Sequence, residues 1–154
     1  MKFTFKKSER LNSKKVIEQL FDKKGRETNQ SVFLYPFRVS YVYEVKSEEF
    51  KVESQALIVE SENEFDSLST LNAQLLTHSP EILISVSKRF FKHAVDRNLI
   101  KRRTREAYRL NKHLLLQKPS SQIPAYIAFV YIAKTIEDYA KIEKSMKAIF
   151  QKMV

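Results

Sequence analysis

The chain has 154 residues, 43% hydrophobic and 12% aromatic, enough apolar material for one domain with a real core and too much for a disordered chain. Its 28 Lys and Arg against 18 Asp and Glu give a formal net charge of +10, which points to an anionic partner: nucleic acid, a membrane surface or an acidic protein. The absence of cysteine excludes disulfides and thiolate zinc sites and fits a reducing compartment, and the single glycine, Gly25, excludes glycine-rich nucleotide-phosphate loops.

Met1–Arg10 is charged and lacks the apolar stretch of a secretory leader. No apolar run approaches the roughly 20 residues of a membrane span; the longest, Ile123–Ala133, is strand-length. The expectation is a soluble, cytoplasmic protein.

In chain order, Asn12 or Ser13 caps a predicted helix that runs to about Lys24, with Val16, Ile17, Leu20 and Phe21 on one face and Gly25 as its stop. Ser31–Val45, aromatic and β-branched, reads as a strand, in which Pro36 marks an unpaired edge or a bulge. Gln55–Glu60 reads as a short strand, Glu62–Ser79 as a polar loop, and Ile82–Ser87 as a strand of alternating pattern. A helix follows from about Ala94 to Leu116, with Ile100, Thr104, Ala107, Tyr108, Leu114 and Leu115 at helical spacing. Lys118–Pro124 is a loop, and Ala125–Ala133 a nearly continuous apolar strand of the kind found at a sheet centre. Thr135 with Asp138 makes a variant capping box for a last helix carrying Tyr139, Ile142, Met146, Ile149 and Phe150 on one side. This order predicts an α+β fold, a two-layer α/β sandwich holding a strand–helix–strand unit.

Charge is distributed in blocks. Met1–Arg26 is basic, Ser47–Glu81 is acidic with only Lys51 against it, and Val86–Lys118 is strongly basic with only Asp96 and Glu106 opposed. At about 100° per residue, Arg97, Lys101, Arg105, Arg109 and Lys112 fall within an arc of roughly 120°, Arg102 lies beside it, and the apolar set lies on the other side. A helix facing only water mixes its signs; this one does not. Arg offers bidentate contacts to phosphate, Lys a point charge, and Asn98 a neutral donor and acceptor. The pattern describes an RNA-facing helix with an apolar back. Phe33, Tyr35, Phe37, Tyr41 and Tyr43 recur at a period of two, either a core stripe or a stacking platform for single-stranded RNA, with Tyr35 beside Pro36 the most exposed.

Three other readings compete. A protein nuclease needs clustered carboxylates, yet the acids gather at 47–81 without metal-ligand spacing, and His78, His93 and His113 are scattered. Asp96 reads as a helix N-terminal charge. Membrane-surface binding fails because the sheet covers the helix's apolar face. A structural or ribosomal-type RNA-binding protein without a role in processing is left open by charge and periodicity.

Ser85-Val86-Ser87-Lys88, Ala94-Val95-Asp96-Arg97-Asn98, Lys101-Arg102, Arg105-Glu106-Ala107 and Tyr108 resemble the signature of the bacterial ribonuclease P protein component family, ungapped across Val86–Tyr108. Arg10-Leu11, Leu20-Phe21, Gly25 and Phe33-Leu34-Tyr35 extend the resemblance towards the N-terminus. Three features depart from the family pattern: Leu99 stands where a second arginine is common, Ile17 where an aromatic is common, and an acidic insertion occupies about 46–80 of what is otherwise a single RNA-binding domain, 1–154.

The resemblance implies a ribosomal-protein-S5-domain-2-like sandwich with a left-handed βαβ crossover, an exception to the usual hand. It implies the protein subunit of a ribonucleoprotein whose RNA is the catalyst and which removes the 5′ leader of precursor tRNA. By matching position, Arg97, Asn98, Lys101, Arg102 and Arg105 contact the catalytic RNA; Lys88 and Arg109 extend that set. Ile17, Phe21 and Tyr35 line a cleft for the leader. The partners implied are ribonuclease P RNA and precursor tRNA, with no membrane and no small-molecule substrate. No catalytic or metal-binding protein residue and no cofactor of the protein alone is expected; magnesium belongs to the RNA holoenzyme.

Overall fold

Apolar residues alternate along the strands and recur every third or fourth position along the helices, and the computed structural model shows what these patterns build. It describes residues 4–22, 29–43 and 79–153. The elements are α1 (Lys14–Phe21), β1 (Asn29–Leu34), β2 (Phe37–Val42), β3 (Glu81–Val86), α2 (Ala94–Asn111), a single turn α3 (His113–Leu116), β4 (Tyr126–Tyr131) and α4 (Tyr139–Lys152), with 3₁₀ turns at Lys7–Glu9 and Ser120–Gln122. The expected Gly25 helix stop, the Gln55–Glu60 strand, the Glu62–Ser79 loop and the acidic insertion lie outside the described residues, apart from Ser79 and Pro80.

The strands form one mixed sheet in the order β1-β2-β4-β3. β1 and β4 run antiparallel to β2, and β3 runs parallel to β4 through the α2 connection. The apolar strand β4 is central, as its composition predicts. Arg10 bridges the outer side of β3, where the Leu11 amide donates to the Ile82 carbonyl at 3.0 Å, so that edge is not left bare.

The expected strand Ser31–Val45 is in fact a hairpin. It turns at Tyr35–Pro36, a cis peptide, with Leu34 paired to Phe37. The aromatic period of two therefore does not lie on one strand face: Phe37 and Tyr41 point into the core, whereas Phe33 is 68% exposed on the opposite face of β1. Proline punctuated the run as a turn, not as an edge or a bulge.

Two apolar clusters hold the sheet. On one face, α2 lies along the β3 side and α4 along the β1 side, and they pack on each other. Phe37, Val39, Tyr41, Ile82, Val86, Ile127, Phe129 and Tyr131 meet Ile100, Ala107, Tyr108, Ile142, Met146, Ile149 and Phe150 there. The rings interlock edge to face: Phe37–Tyr131 at 5.7 Å, Phe37–Phe129 at 6.1 Å and Tyr108–Phe150 at 6.1 Å between centroids. On the other face, Leu11 and Leu20 of the N-terminal segment and α1 cover Val42 and Ala128, with Val16, Ile17, Leu83 and Tyr126 around them. The fold is α+β, with one sheet face covered by α2 and α4 and the other, among the described residues, covered where α1 crosses it.

The remaining helix ends differ from expectation in detail. α2 stops at Asn111 and α3 forms a separate turn, so the basic helix is shorter than Ala94–Leu116. α4 begins at Tyr139 with Asp138 as its N-cap residue, which makes no side-chain cap bond; Thr135 Oγ1 instead donates to Glu137 Oε1 at 3.2 Å. α1 starts after Ser13, as one of the two expected caps, and ends at Phe21.

Candidate nucleic-acid interface

The basic helix is amphipathic in the way its spacing predicts. Ile100, Thr104, Ala107, Tyr108 and Asn111 are buried, and its two buried polar side chains bond back to the helix. Thr104 Oγ1 donates to the Ile100 carbonyl and Asn111 Nδ2 to the Ala107 carbonyl, each at 2.8 Å. Asn98 and Arg102 are exposed, whereas Arg97, Lys101, Arg105 and Arg109 are half-buried along the flanks. Asp96 sits in the first turn, where a negative charge favours the helix dipole.

The turn that launches α2 is tightly made. Phe91 is buried against Tyr131, with centroids 5.9 Å apart, while the adjacent Lys88, Arg89 and Phe90 are exposed. The Phe91 amide donates to the Ser87 carbonyl, and the Arg89 amide to Ser87 Oγ, both at 3.2 Å. Arg97 reaches back and donates from Nη1 to the carbonyls of Phe91 at 2.8 Å and Lys92 at 2.6 Å. One arginine of the motif thus braces the turn that presents Lys88, and only part of its guanidinium is left for a ligand.

The other cations divide by partner. Arg109 pairs bidentately with Glu106 (Nη2–Oε1 2.6 Å, Nε–Oε2 2.9 Å), which holds the Glu106 carboxyl below its ordinary range. Both groups are within reach of solvent, which screens the pair and weakens it. Arg103 donates to the Glu137 carbonyl at 2.7 Å and ties α2 to the loop before α4. Among the described residues, Lys88, Lys101, Arg102 and Arg105 have no acidic partner. Leu99, where the family arginine was expected, is half-buried and joins Phe5 and Tyr139 in lining a shallow depression rimmed by Arg102, Arg105 and Arg109.

Lys112 is a correction. The helical arc placed it on the basic face, but it is buried, its Nζ 2.5 Å from Glu9 Oε1 and donating to the Thr4 carbonyl at 2.7 Å. Its backbone is still helical, so the arc is right, but the N-terminal segment covers that part of the face and supplies an acidic partner far away in sequence. Lys118, also counted in the basic run, donates to the Phe150 carbonyl at 2.6 Å and to that of Met153, closing the C-terminus of α4.

A second candidate surface lies on the opposite sheet face, beyond α1. In register across the strands stand Phe33, Arg38, Val130 and Ser85, with Phe33 and Arg38 exposed and the other two half-buried. Ile17 is half-buried in the cluster under α1, and Phe21 is 46% exposed at its end, where Asn29 Nδ2 donates to the Gln19 carbonyl at 2.5 Å. The structure therefore brings Ile17 and Phe21 together at the start of β1. Tyr35 stands at the far end of that strand, roughly 20 Å away at about 3.3 Å per residue. Phe33 was expected only as one of the aromatic stripe and Arg38 was not among the expected site residues; the proline inside the aromatic run was the signal that could have set them apart.

Tyr35 belongs to a polar cluster joining the hairpin tip to α4. Its hydroxyl donates to Glu137 Oε1, its carbonyl accepts from Ser145 Oγ at 2.7 Å, and the Lys141 ammonium lies 4.8 Å from its ring centroid. Lys141 also pairs with Glu137 Oε2 at 2.8 Å, and the two contacts, Lys141 foremost, hold the Glu137 carboxyl below the ordinary range. The Tyr35 hydroxyl is raised, chiefly by its bond to Glu137. Tyr131 completes the cluster: it donates from its hydroxyl to the Thr135 carbonyl at 2.8 Å and accepts from the Glu137 amide at 3.0 Å.

Among the described residues no group of three or more His, Asp or Glu gathers as metal ligands, and no helix is long and apolar enough to cross a membrane. His93 precedes α2, His113 has its Nδ1 3.0 Å from the Leu110 carbonyl, and His78 lies outside the described residues.

Fold and surface together define a small, cation-rich α+β binding domain with a basic helix on one side and an open, aromatic-bearing sheet face on the other. The chain belongs to the ribonuclease P family, whose model matches residues 5–154. It is similar to the proteins called ribonuclease P protein component from two strains of Porphyromonas gingivalis, at 48% identity over 69 residues, 43% of this chain and 49% of each relative. The chain spans about half the length of these curated relatives.

Proposed function

We propose that this protein is the non-catalytic protein subunit of a ribonuclease P ribonucleoprotein, binding the catalytic RNA through α2 and assisting removal of the 5′ leader from precursor tRNA. The observation that carries this reading is the ungapped motif Val86–Tyr108 spanning the end of β3, the launching turn and α2, with Lys88, Asn98 and Arg102 exposed and Lys101 and Arg105 half-buried beside them, in a chain of the ribonuclease P family. RNA offers what such a face lacks: a row of phosphates that releases counterions as the cations engage. Arg97 serves mainly by bracing the turn, and Arg109 joins by exchanging Glu106 for phosphate.

The open sheet face is the leader cleft of this reading. A single strand lying along β1 meets Phe21 and Ile17 at one end and Phe33 with the Arg38 charge further on; Tyr35, held by Glu137 and Lys141 on the α4 side, reaches it only at the hairpin tip. Aromatic faces with a nearby cation suit unpaired bases of any sequence. Magnesium enters with the RNA, and the protein contributes position and charge. The site of action is the cytoplasm.

The test is to add the protein to ribonuclease P RNA and precursor tRNA at low magnesium and follow leader release. Faster release or tighter precursor binding is expected. Unchanged rate and affinity would leave a structural RNA-binding protein as the better reading, and brisk cleavage by the protein without RNA would overturn the non-catalytic role.

A further inference from the structure

We propose that Arg10 and Arg105 together form a phosphate-binding site for the RNA backbone, assembled over the Phe5 ring and positioned by the buried Glu9–Lys112 pair. It rests on the RNA-binding reading above and adds a second element to it, the N-terminal segment 4–11.

The Arg10 guanidinium lies 5.8 Å from the Phe5 ring centroid and that of Arg105 5.9 Å from the same centroid. One side chain comes from the N-terminal segment and the other from α2, so the ring is the point where two separate parts of the chain bring their charge together. Phe5 is itself fixed, edge-on to Tyr108 at 5.9 Å, and Tyr108 is fully buried. Each cation gains from the ring face, but the two repel each other, and among the described residues neither has an acidic partner. Two like charges held beside one ring raise the local positive potential and favour an anionic ligand there. Guanidinium forks bind phosphate oxygens in a fixed plane, so adjacent phosphates of one strand fit.

Besides the Arg10–Leu11 bridge to Ile82, the segment is held by one buried carboxylate. Glu9 is 2% exposed; its Oε2 accepts the Lys6 amide at 3.0 Å, and its Oε1 accepts Ser79 Oγ at 2.9 Å and Lys112 Nζ at 2.5 Å. Lys112 also holds the Thr4 carbonyl at 2.7 Å. Burying both charges carries a desolvation penalty that makes such a pair a poor source of net stability. Its geometric effect is definite: it pins residues 4, 6 and 9 to the end of α2, which sets Phe5 and Arg10 beside Arg105. Glu9 and Lys112 are positioning residues, and Arg10 and Arg105 are the groups that meet the ligand.

The experiment measures affinity for the ribonuclease P RNA of the same organism against salt concentration, with full-length wild type, R10Q, R105Q, the double variant, R10K, E9Q and K112M. R10Q and R105Q should each weaken binding roughly tenfold. The double variant should lose much less than the product of the two. Each single change should lower the salt slope by about one, and R10K should keep the wild-type slope. E9Q and K112M should reproduce the slope loss of R10Q although Arg10 is present; if either fails to melt cooperatively, the R10Q/R105Q cycle decides alone. An unchanged slope in R10Q, or losses that multiply independently, would overturn the site while leaving the RNA-binding reading standing. If wild type does not bind the RNA, both fall together.

Discussion

The two faces of the sheet draw on alternate residues of the same strands and reach opposite ends. On the face under α2 and α4, β2 contributes Phe37, Val39 and Tyr41 and β4 contributes Ile127, Phe129 and Tyr131, all buried, with rings locked edge to face. On the face under α1, the same strands contribute Arg38, Ser40, Ala128 and Val130, and β1 turns Phe33 out to 68% exposure. The difference lies in what covers them. Two helices fill the first face, whereas an eight-residue helix crosses the second, where Phe33 and Arg38 are exposed and Val130 and Ser85 half-buried in one row. Aromatic content is therefore no guide to function here: the same residue type is core at Phe37 and solvent-exposed at Phe33.

The strongest way to break this contrast is Phe129→Ala on the dry face. Phe129 is fully buried and touches the rings of Phe37, Tyr108 and Phe150, so its truncation should cost about 3–5 kcal/mol of unfolding free energy in denaturant titration. A loss below about 1 kcal/mol would mean the face is not the core. Phe33→Ala should do the reverse, changing stability by no more than about 0.5 kcal/mol while weakening precursor tRNA roughly tenfold relative to mature tRNA. Equal losses for both RNAs would remove Phe33 from the leader cleft. The smallest effect is expected at the hairpin tip. Because Glu137 titrates below the ordinary glutamate value of 4.5 in the folded protein, its contribution is present above that value and is lost as pH falls through the folded one. E137Q should therefore show a slightly shallower loss of stability on acidification than wild type; an identical acid limb would show that the Lys141 and Tyr35 contacts do not persist in solution.

Most of the fold was legible because its signals are local. The buried stripe of α2, the apolar β4 and the amphipathic α4 each follow from spacing alone, and the strand–helix–strand unit follows from their order. The errors come from long-range or competing effects. The aromatic period of two ran across Tyr35–Pro36 as though the strand continued, when the proline had already reversed the chain. Lys112 matched the helical arc, and nothing nearby announces that Glu9 draws it inward. Thr135 looked like a cap, but its hydroxyl bonds Glu137 and the helix starts later. The candidate surface divides likewise. Lys88, Asn98 and Arg102 are exposed and Lys101 is half-buried, whereas the bracing role of Arg97 depends on carbonyls that only the folded turn presents.

The most direct test is the salt dependence of binding between the protein and ribonuclease P RNA when Lys88, Lys101 and Arg102 are replaced together by Gln. Among the described residues none of the three has an acidic partner, so the melting temperature should stay near that of wild type. If α2 is the docking face, the slope of log affinity against log salt should fall by about two to three, one released counterion for each lost contact. An unchanged slope with an intact fold would place the RNA on another surface and contradict the role assigned to this helix.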